Sequence, residues 1–521
     1  LALDLHSHGD SESLSIAELY DGAVGVDGAV QLIASLPYVD TARIGVTGHS
    51  SGGTAANMAV EIDNSRETPL IAAVLQQAGD WQDDTGGDHS GDYGSRSVGI
   101  IASTHDDFYF GTYDDAGNML TNPVAFMETD GAKKFLNFNE DGFAGIAEGG
   151  KYYTRDFDGK TAYRVIYRPN MIHPLVAFST TCVGYAVDFF DTTLGAPKPL
   201  PASDQIWPIK AVFNSLGVIG LLIFMVSFTL VLLDTPVFSA LRSGEIVQPA
   251  PVQDSGAKAW YWVLLIIGAV FSGSSFLFCM NTVYSKTTNF FVQTGPLTIG
   301  TWAALCGIFA IFCSAVFYGA YGKKHGWSAR RAGLYLNLEQ LWKTIALAVI
   351  VIVVSFGLVF AAHYFFQVDY RMYVVAFKTF GADKVLIALR YLPFFLLFYV
   401  MNSISANCFN YNTIGGKNGN ILIFAFFNAL GAIFVVASQY IYFYATGYQL
   451  YGLTEGQRIG PIWLFPCMVL LFVTPIMSRI IYKRTRNPYI AGLINAMFIV
   501  MISCSNTTTI LGGGELIATT F

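Results

Sequence analysis

The sequence predicts two units of different class in one chain of 521 residues: an α/β unit over residues 1–205 and an all-helical membrane bundle over residues 206–521. Three observations predict it. Hydrophobic residues make up 53% of the chain and its mean hydropathy is positive, which is too apolar for a wholly soluble protein. Charge is divided: residues 1–205 hold 29 of the 37 acids and 11 of the 30 bases, a net −18, whereas residues 206–521 hold 8 acids and 19 bases, a net +11. From residue 210 onward, apolar runs of about 20 residues recur, the length that crosses roughly 30 Å of hydrocarbon as helix.

In the first unit, Arg43 to Thr47 reads as a short buried strand, Gly48-His49-Ser50-Ser51-Gly52 as a tight turn, and the small residues from Thr54 onward as a helix. A serine on so sharp a strand-to-helix turn has a strained backbone and crowded neighbours, which leaves no room for β-carbons two residues to either side. The turn aims the Ser50 hydroxyl out of the sheet. It also puts the backbone N–H of Ser51 at a helix N-terminus, where it can stabilise an oxyanion.

The segment DLHSHGDS (4–11) resembles the strand-four ending D-x-x-G-H-G-x-S of the α/β-hydrolase superfamily, with His6-Ser7 where the family usually has x-Gly. RIGVTGHSSGG (43–53) is similar to that family's nucleophile elbow almost letter for letter. The resemblance covers residues 1 to about 195 and is closest to the esterase, lipase and dienelactone-hydrolase-like branches, the last of which typically use Cys where this chain has Ser50. It implies an α/β-hydrolase fold, a mostly parallel sheet with flanking helices, and the chain order nucleophile, acid, histidine. The acid is then expected after the next-but-one strand. SVGIIAS (97–103) is that strand, and Asp106, three residues after Ser103, matches the family's G-x-x-D with Ser for Gly; Asp107 is the neighbouring alternative. Of the six histidines in this unit, His6 and His8 precede the nucleophile, His49 lies in its elbow, and His89 and His105 precede or adjoin the acid. His173 remains, after the β-rich run AYRVIY (162–167) and a polar loop.

The implied chemistry is acyl transfer to Ser50, with His173 as general base and then acid and Asp106 orienting it. Water or another acceptor then takes the acyl group, and no metal or organic cofactor is required. The family draws the other half of its oxyanion hole from the loop after strand three. Leu1 reads as the middle of a strand near strand four, so that loop, and any signal peptide or first span, is expected upstream of it.

The 66 residues between Asp106 and His173 exceed what one helix needs and contain a predicted hairpin turning at Asp158-Gly159. Tyr109, Phe110, Phe135 and Phe138 are expected to help form an acyl or leaving-group pocket there. The acidic run at 80–93 contains Asp83, Asp84, Asp88 and Asp92, but its spacing does not match an EF-hand loop, and no metal is assigned. Cys182 is the one cysteine of this unit, which excludes an internal disulfide framework.

Eight spans are predicted, at 211–233, 259–281, 298–320, 341–365, 385–405, 420–446, 460–482 and 489–511. The alternate loops after the first span contain eleven bases, Arg242, Lys258, Lys323, Lys324, Arg330, Arg331, Lys417, Arg479, Lys483, Arg484 and Arg486. The opposite loops contain five, Lys286, Arg371, Lys378, Lys384 and Arg458. The positive-inside rule puts the first set in the cytoplasm and the α/β unit outside, most simply at a bacterial cell membrane. Within the spans or near their ends, His363, Arg390 and Glu339 stand out as ionisable residues, joined by Asn281, Asn402, Asn407 and Asn495, and the Asn-rich stretch 402–420 reads as a broken helix or a loop. The expected partners are the bilayer and a small-molecule, lipid or peptide substrate. No basic, aromatic surface points to nucleic acid. The leading expectation is a membrane-bound serine hydrolase; eight spans exceed what anchoring needs, so the rival is a transporter or flippase whose attached hydrolase processes or gates its cargo.

Overall fold

The computed structural model describes residues 2–82, 87–113, 119–245, 247–368, 370–373 and 375–515. In the first unit five strands form one sheet, β1 (Ile44–His49), β2 (Ile71–Gln77), β3 (Ser97–Ile101), β4 (Tyr153–Phe157) and β5 (Lys160–Tyr167), in the spatial order β1-β2-β3-β5-β4. Strands β1, β2, β3 and β5 run parallel, and β4 closes one edge antiparallel to β5. Every residue of β3 is buried, as its unbroken apolar run requires of a strand covered on both faces.

Alternation along β2 shows the two layers. Val74 packs with Val30 of helix α1 (Val26–Ala34), Val60 of α2 (Ser51–Asn64) and Phe135 of α3 (Asp130–Leu136), while Ala73 and Leu75 pack with Cys182 and Phe189 of α4 (Thr180–Leu194). The β4–β5 hairpin turns where expected. Asp158 (φ 51°) and Gly159 (φ 85°) are both left-handed, the two-residue turn whose twist suits paired strands.

Among its described residues the second unit holds eight helices long and apolar enough to cross a membrane: α5 (Trp207–Leu233), α6 (Ser255–Thr282), α7 (Thr294–Phe317, extended by a turn to Gly322), α8 (Leu338–Phe366), α9 (Ala382–Ile404, extended to Phe409), α10 (Gly416–Thr446), α11 (Glu455–Thr485) and α12 (Pro488–Ser505). These mark the chain as an integral membrane protein. The expected spans agree to within a few residues, except that the last ends at Ser505 and not 511. Beyond it the chain is drawn into pairing, Ile510–Leu511 with Leu14–Ser15 and Gly514–Glu515 with Lys286–Thr287. Helices α6 and α10 touch at small residues: a β-carbon on Gly431 would lie 2.5 Å from the carbonyl oxygen of Ala269.

Several bases expected in loops fall inside helices: Lys258 in α6, Lys417 in α10, Lys483 and Arg484 in the last turn of α11, and, from the opposite set, Lys384 in α9 and Arg458 in α11. Arg479, expected in a basic loop, lies inside α11 and is 1% exposed. Its Nε donates to Asn407 Oδ1 (2.8 Å), Nη1 to Asn420 Oδ1 (3.0 Å) and Nη2 to the Ala406 carbonyl, and its guanidinium lies 4.0 Å from the Tyr411 ring centroid. The stretch 402–420 is a broken helix, in which α9 runs into a π-helical turn, Ser405–Phe409, before α10 starts at Gly416. The bundle encloses cavities between its described helices. One of about 210 Å³ reaches Thr294 and Asn506 on the side of the first unit, and one of about 690 Å³ reaches Tyr411 and Arg486 on the remote side. Ser272, Cys306 and Phe398 line both.

Candidate active site

The turn after β1 is built as its sequence requires. Ser50 sits at φ 57°, ψ −123°, a strained conformation between the strand and α2, and its amide donates to the Gln77 carbonyl (2.9 Å) at the end of β2. A β-carbon on Gly48 would lie 2.1 Å from the Gly52 carbonyl carbon, so glycine is obligatory there. Gly52 differs from expectation, since a β-carbon on it meets nothing within 4 Å. The crowded second glycine is Gly53, where the β-carbon would lie 2.2 Å from Gln76 Oε1. Behind the elbow Asn57 braces α2: its Oδ1 accepts from Gln76 Nε2 (2.6 Å) and Tyr93 Oη (2.7 Å), and its Nδ2 donates to the Asp80 carbonyl (2.8 Å). Ser51 opens α2, so its backbone amide stands at the helix N-terminus next to Ser50.

Asp106 follows β3 and is fully buried. Its Oδ1 lies 2.9 Å from His173 Nδ1 and accepts the amides of Phe108 and Tyr109 (both 3.0 Å), while Oδ2 accepts from Ser103 Oγ (2.9 Å). Burial alone would raise its pKa. The His173 imidazole and the two amides outweigh burial and hold the carboxyl below its usual range. The two neighbouring aspartates sit in different surroundings. Asp107 is equally buried, but among the described residues neither of its carboxyl oxygens makes a hydrogen bond of good geometry; burial first, and the Asp106 charge second, outweigh the nearby His173 backbone and Tyr440 hydroxyl and push its pKa well above the usual carboxylate range.

His173 begins a short 3₁₀ turn after β5 and is 4% exposed. Tyr109 stacks on it with ring centroids 5.9 Å apart, Phe108 meets it edge-on at 5.0 Å, and His49 of the elbow lies at 4.8 Å. His49 Nε2 is 3.1 Å from the His173 carbonyl, so it is this nitrogen that carries the proton. Burial, and next the adjacent His173, lower the His49 pKa to about 4, which leaves it neutral near pH 7. His49 thereby ties the base loop to the nucleophile turn. Among the described residues Ser50 Oγ makes no hydrogen bond to His173; catalytic hydrogen bonds are commonly long until substrate binds.

Of the four aromatic residues expected to line a pocket, only Tyr109 is at the site. Phe110 packs on Phe126 (4.8 Å) and Phe135 on Trp81 (5.6 Å) in the core, and Phe138 lies under the Arg164 guanidinium (4.5 Å). Asp80, just past β2 and 8% exposed, was not singled out in the sequence; burial raises its pKa to about 7, and the Asp106 charge adds to the rise. Its signal was its place at the end of a buried strand. Asp88 accepts the Ser90 amide (2.9 Å) and Asp92 lies 2.9 Å from His89 Nδ1, while Asp83 and Asp84 are outside the described residues. Among the described residues no three His, Cys, Asp or Glu side chains converge as metal ligands would.

The acid and base loops rest on the membrane bundle, a feature the sequence did not announce. The His105 ring lies 4.3 Å from Tyr444 and 5.4 Å from Phe443 of α10, Gln449 Nε2 donates to the Asp107 carbonyl (2.6 Å), and Phe108 and Ile172 enter an apolar cluster with α6, α10 and α11. On the far side of the elbow, Lys384 of α9 donates to the Gly9 carbonyl (2.6 Å). The chain matches no protein-family model, no curated protein and no solved structure, so its functional reading rests on the geometry of Ser50, Asp106 and His173.

Proposed function

We propose that the chain is a membrane-bound serine hydrolase of α/β-hydrolase type that cleaves an ester, thioester or amide through an acyl-serine intermediate. The observation that carries this reading is the buried Asp106–His173 hydrogen bond (2.9 Å) beside a serine held at φ 57° on a strand-to-helix turn. Ser50 Oγ attacks the carbonyl carbon as His173 Nε2 takes its proton, Asp106 fixes the Nδ1–H tautomer, and the Ser51 amide faces the developing oxyanion. His173 returns the proton to the leaving group, and water then repeats the sequence to release the acid. The strand order supports the reading, since acid and base follow the second and third parallel strands after the elbow, β3 and β5.

With the buried Arg479 set aside, the bases in loops and terminal helical turns number ten against five, which favours a hydrolase on the extracytoplasmic face. The experiment is labelling of the full chain in membranes with a fluorophosphonate probe. Strong labelling that Ser50→Ala abolishes is expected; equal labelling of the two proteins refutes the assignment. A second reading, a lipid-handling transporter with the hydrolase acting on its cargo, draws on the two cavities that meet at Ser272, Cys306 and Phe398. Substrate flux in proteoliposomes that survives Ser50→Ala would favour it.

A further inference from the structure

The 690 Å³ cavity lies on the face of the bundle remote from Ser50 and has the size of a small-ligand site. Its mouth carries Arg331, Arg486, His325 and Glu245. Glu245 Oε2 lies 3.3 Å from Arg486 Nη2, so the one acid of the lining is already matched, and Arg331 is left without a carboxylate partner among the described residues. Arg479 stands behind the wall formed by Asn407 and Tyr411. Amides and a carbonyl hold it, and among the described residues no carboxylate pairs with it in this low-dielectric setting. Asn402 and Asn428 also line the chamber and are tied to each other, Asn402 Nδ2 donating to Asn428 Oδ1 (2.6 Å) and Asn428 Nδ2 to the Leu471 carbonyl (2.7 Å), while the buried Tyr261 hydroxyl has no hydrogen-bond partner among the described residues.

Deeper in, the lining turns apolar at Leu265, Phe309 and Phe398, then meets the second cavity at mid-depth. Both π-helical turns of the bundle, Tyr318–Gly322 and Ser405–Phe409, border the chamber, and such turns recur at functional sites. Cationic at the mouth and apolar within, the chamber matches one chemistry. We propose that it binds an amphiphile with an anionic headgroup, a phosphate or carboxylate on an apolar tail, with the headgroup near Arg331 and the Arg479 wall and the tail along Leu265 and Phe398. This site is separate from Ser50 and does not depend on the hydrolase reading.

Gly268 supplies a sharp test, because it lines the chamber and a β-carbon on it meets nothing within 4 Å. The full chain in neutral detergent is titrated with phosphatidylglycerol, phosphatidylcholine of the same acyl chains, oleate and inorganic phosphate, with bound ligand counted by native mass spectrometry and melting temperature followed in parallel. Phosphatidylglycerol, oleate or both are expected to bind and raise the melting temperature. Which of them binds identifies a phospholipid or a free fatty acid as the source, while phosphatidylcholine should bind at least about tenfold more weakly. Gly268→Phe should abolish binding with fluorophosphonate labelling unchanged. Arg331→Gln, at an exposed position that leaves the core intact, should weaken binding about tenfold. Equal binding of phosphatidylcholine, displacement of lipid by millimolar phosphate, or undiminished binding by a folded Gly268→Phe or by Arg331→Gln would each overturn the proposal.

Discussion

Asp106 in the α/β unit and Arg479 in the membrane bundle are both buried and both held by hydrogen bonds, yet their surroundings differ in one respect. Asp106 has an imidazole against it, with two amides and a serine hydroxyl completing its shell, so its charge is met by donors on every side. Arg479 has only two side-chain amides, one carbonyl and an aromatic face. A balanced buried charge can orient proton transfer locally, whereas an unbalanced one is a standing attraction for an ion of the other sign. The first arrangement suits covalent chemistry and the second suits binding.

The largest effect that would break this comparison is at the acid. Asp106→Asn removes the partner that fixes the His173 tautomer, and kcat should fall about 10³- to 10⁴-fold while the protein remains folded; a loss below tenfold in a purified esterase assay would mean that Asp106 is structural. Next in size, Arg479→Met strips the donor from three buried acceptors. Each buried acceptor left unpaired costs about 1–3 kcal/mol, so thermal unfolding in detergent should show at least about 2 kcal/mol of destabilisation with fluorophosphonate labelling of the folded fraction intact.

A smaller effect tests the bridge between the two regions. Tyr444→Ala takes away the ring under His105, and a slight displacement of the Asp106 loop should lower kcat about tenfold with little change in melting temperature. Unchanged kcat would show that the bundle supports the loop without positioning it. The smallest effect is expected at Asp107, whose carboxyl is raised well above its usual pKa by burial and by Asp106. In the unfolded chain it ionises near its ordinary value, so stability is whole below about pH 4 and is lost as pH rises. Asp107→Asn should therefore raise the melting temperature by a few degrees at pH 7–8, with the advantage gone near pH 3.5. A variant no more stable at pH 8 than at pH 3.5 would show that the carboxyl finds a compensating partner.

What the sequence disclosed was local. The elbow at Ser50, the hairpin at Asp158-Gly159 and the eight apolar runs each declare themselves within a window of a few to some twenty residues, through turn chemistry or periodicity. Asp106 and His173 were reached through their order along the chain, and the hydrogen bond between them lies where that order puts it. Burial of a side chain by distant segments was not legible. Phe110 and Phe135 have the composition of a binding pocket but fill the core because Phe126 and Trp81 meet them there. Arg479 was assigned to a loop because arginine near the end of an apolar run ordinarily is one, and only the inward faces of α9 and α10 supply its amide cage. The residues after Ser505 carried no pattern, since their partners, Leu14 and Lys286, lie more than two hundred positions away.

The parallel pairing of Leu14–Ser15 with Ile510–Leu511 has a consequence for the order in which the molecule is made. The two segments are 510 − 14 = 496 positions apart, and every one of the eight spans is synthesised between them. The stretch around residues 4–15 must wait at the membrane surface until the bundle is inserted and residues 508–511 emerge to receive it. Up to that moment the Ser7 carbonyl lacks the Thr509 amide that it accepts in the finished fold. Closing so long a loop costs only logarithmically more than closing a short one, so the delay is a matter of timing more than of stability. A ribosome stalled before residue 508 should therefore display a bundle already embedded and an N-terminal segment still open to protease.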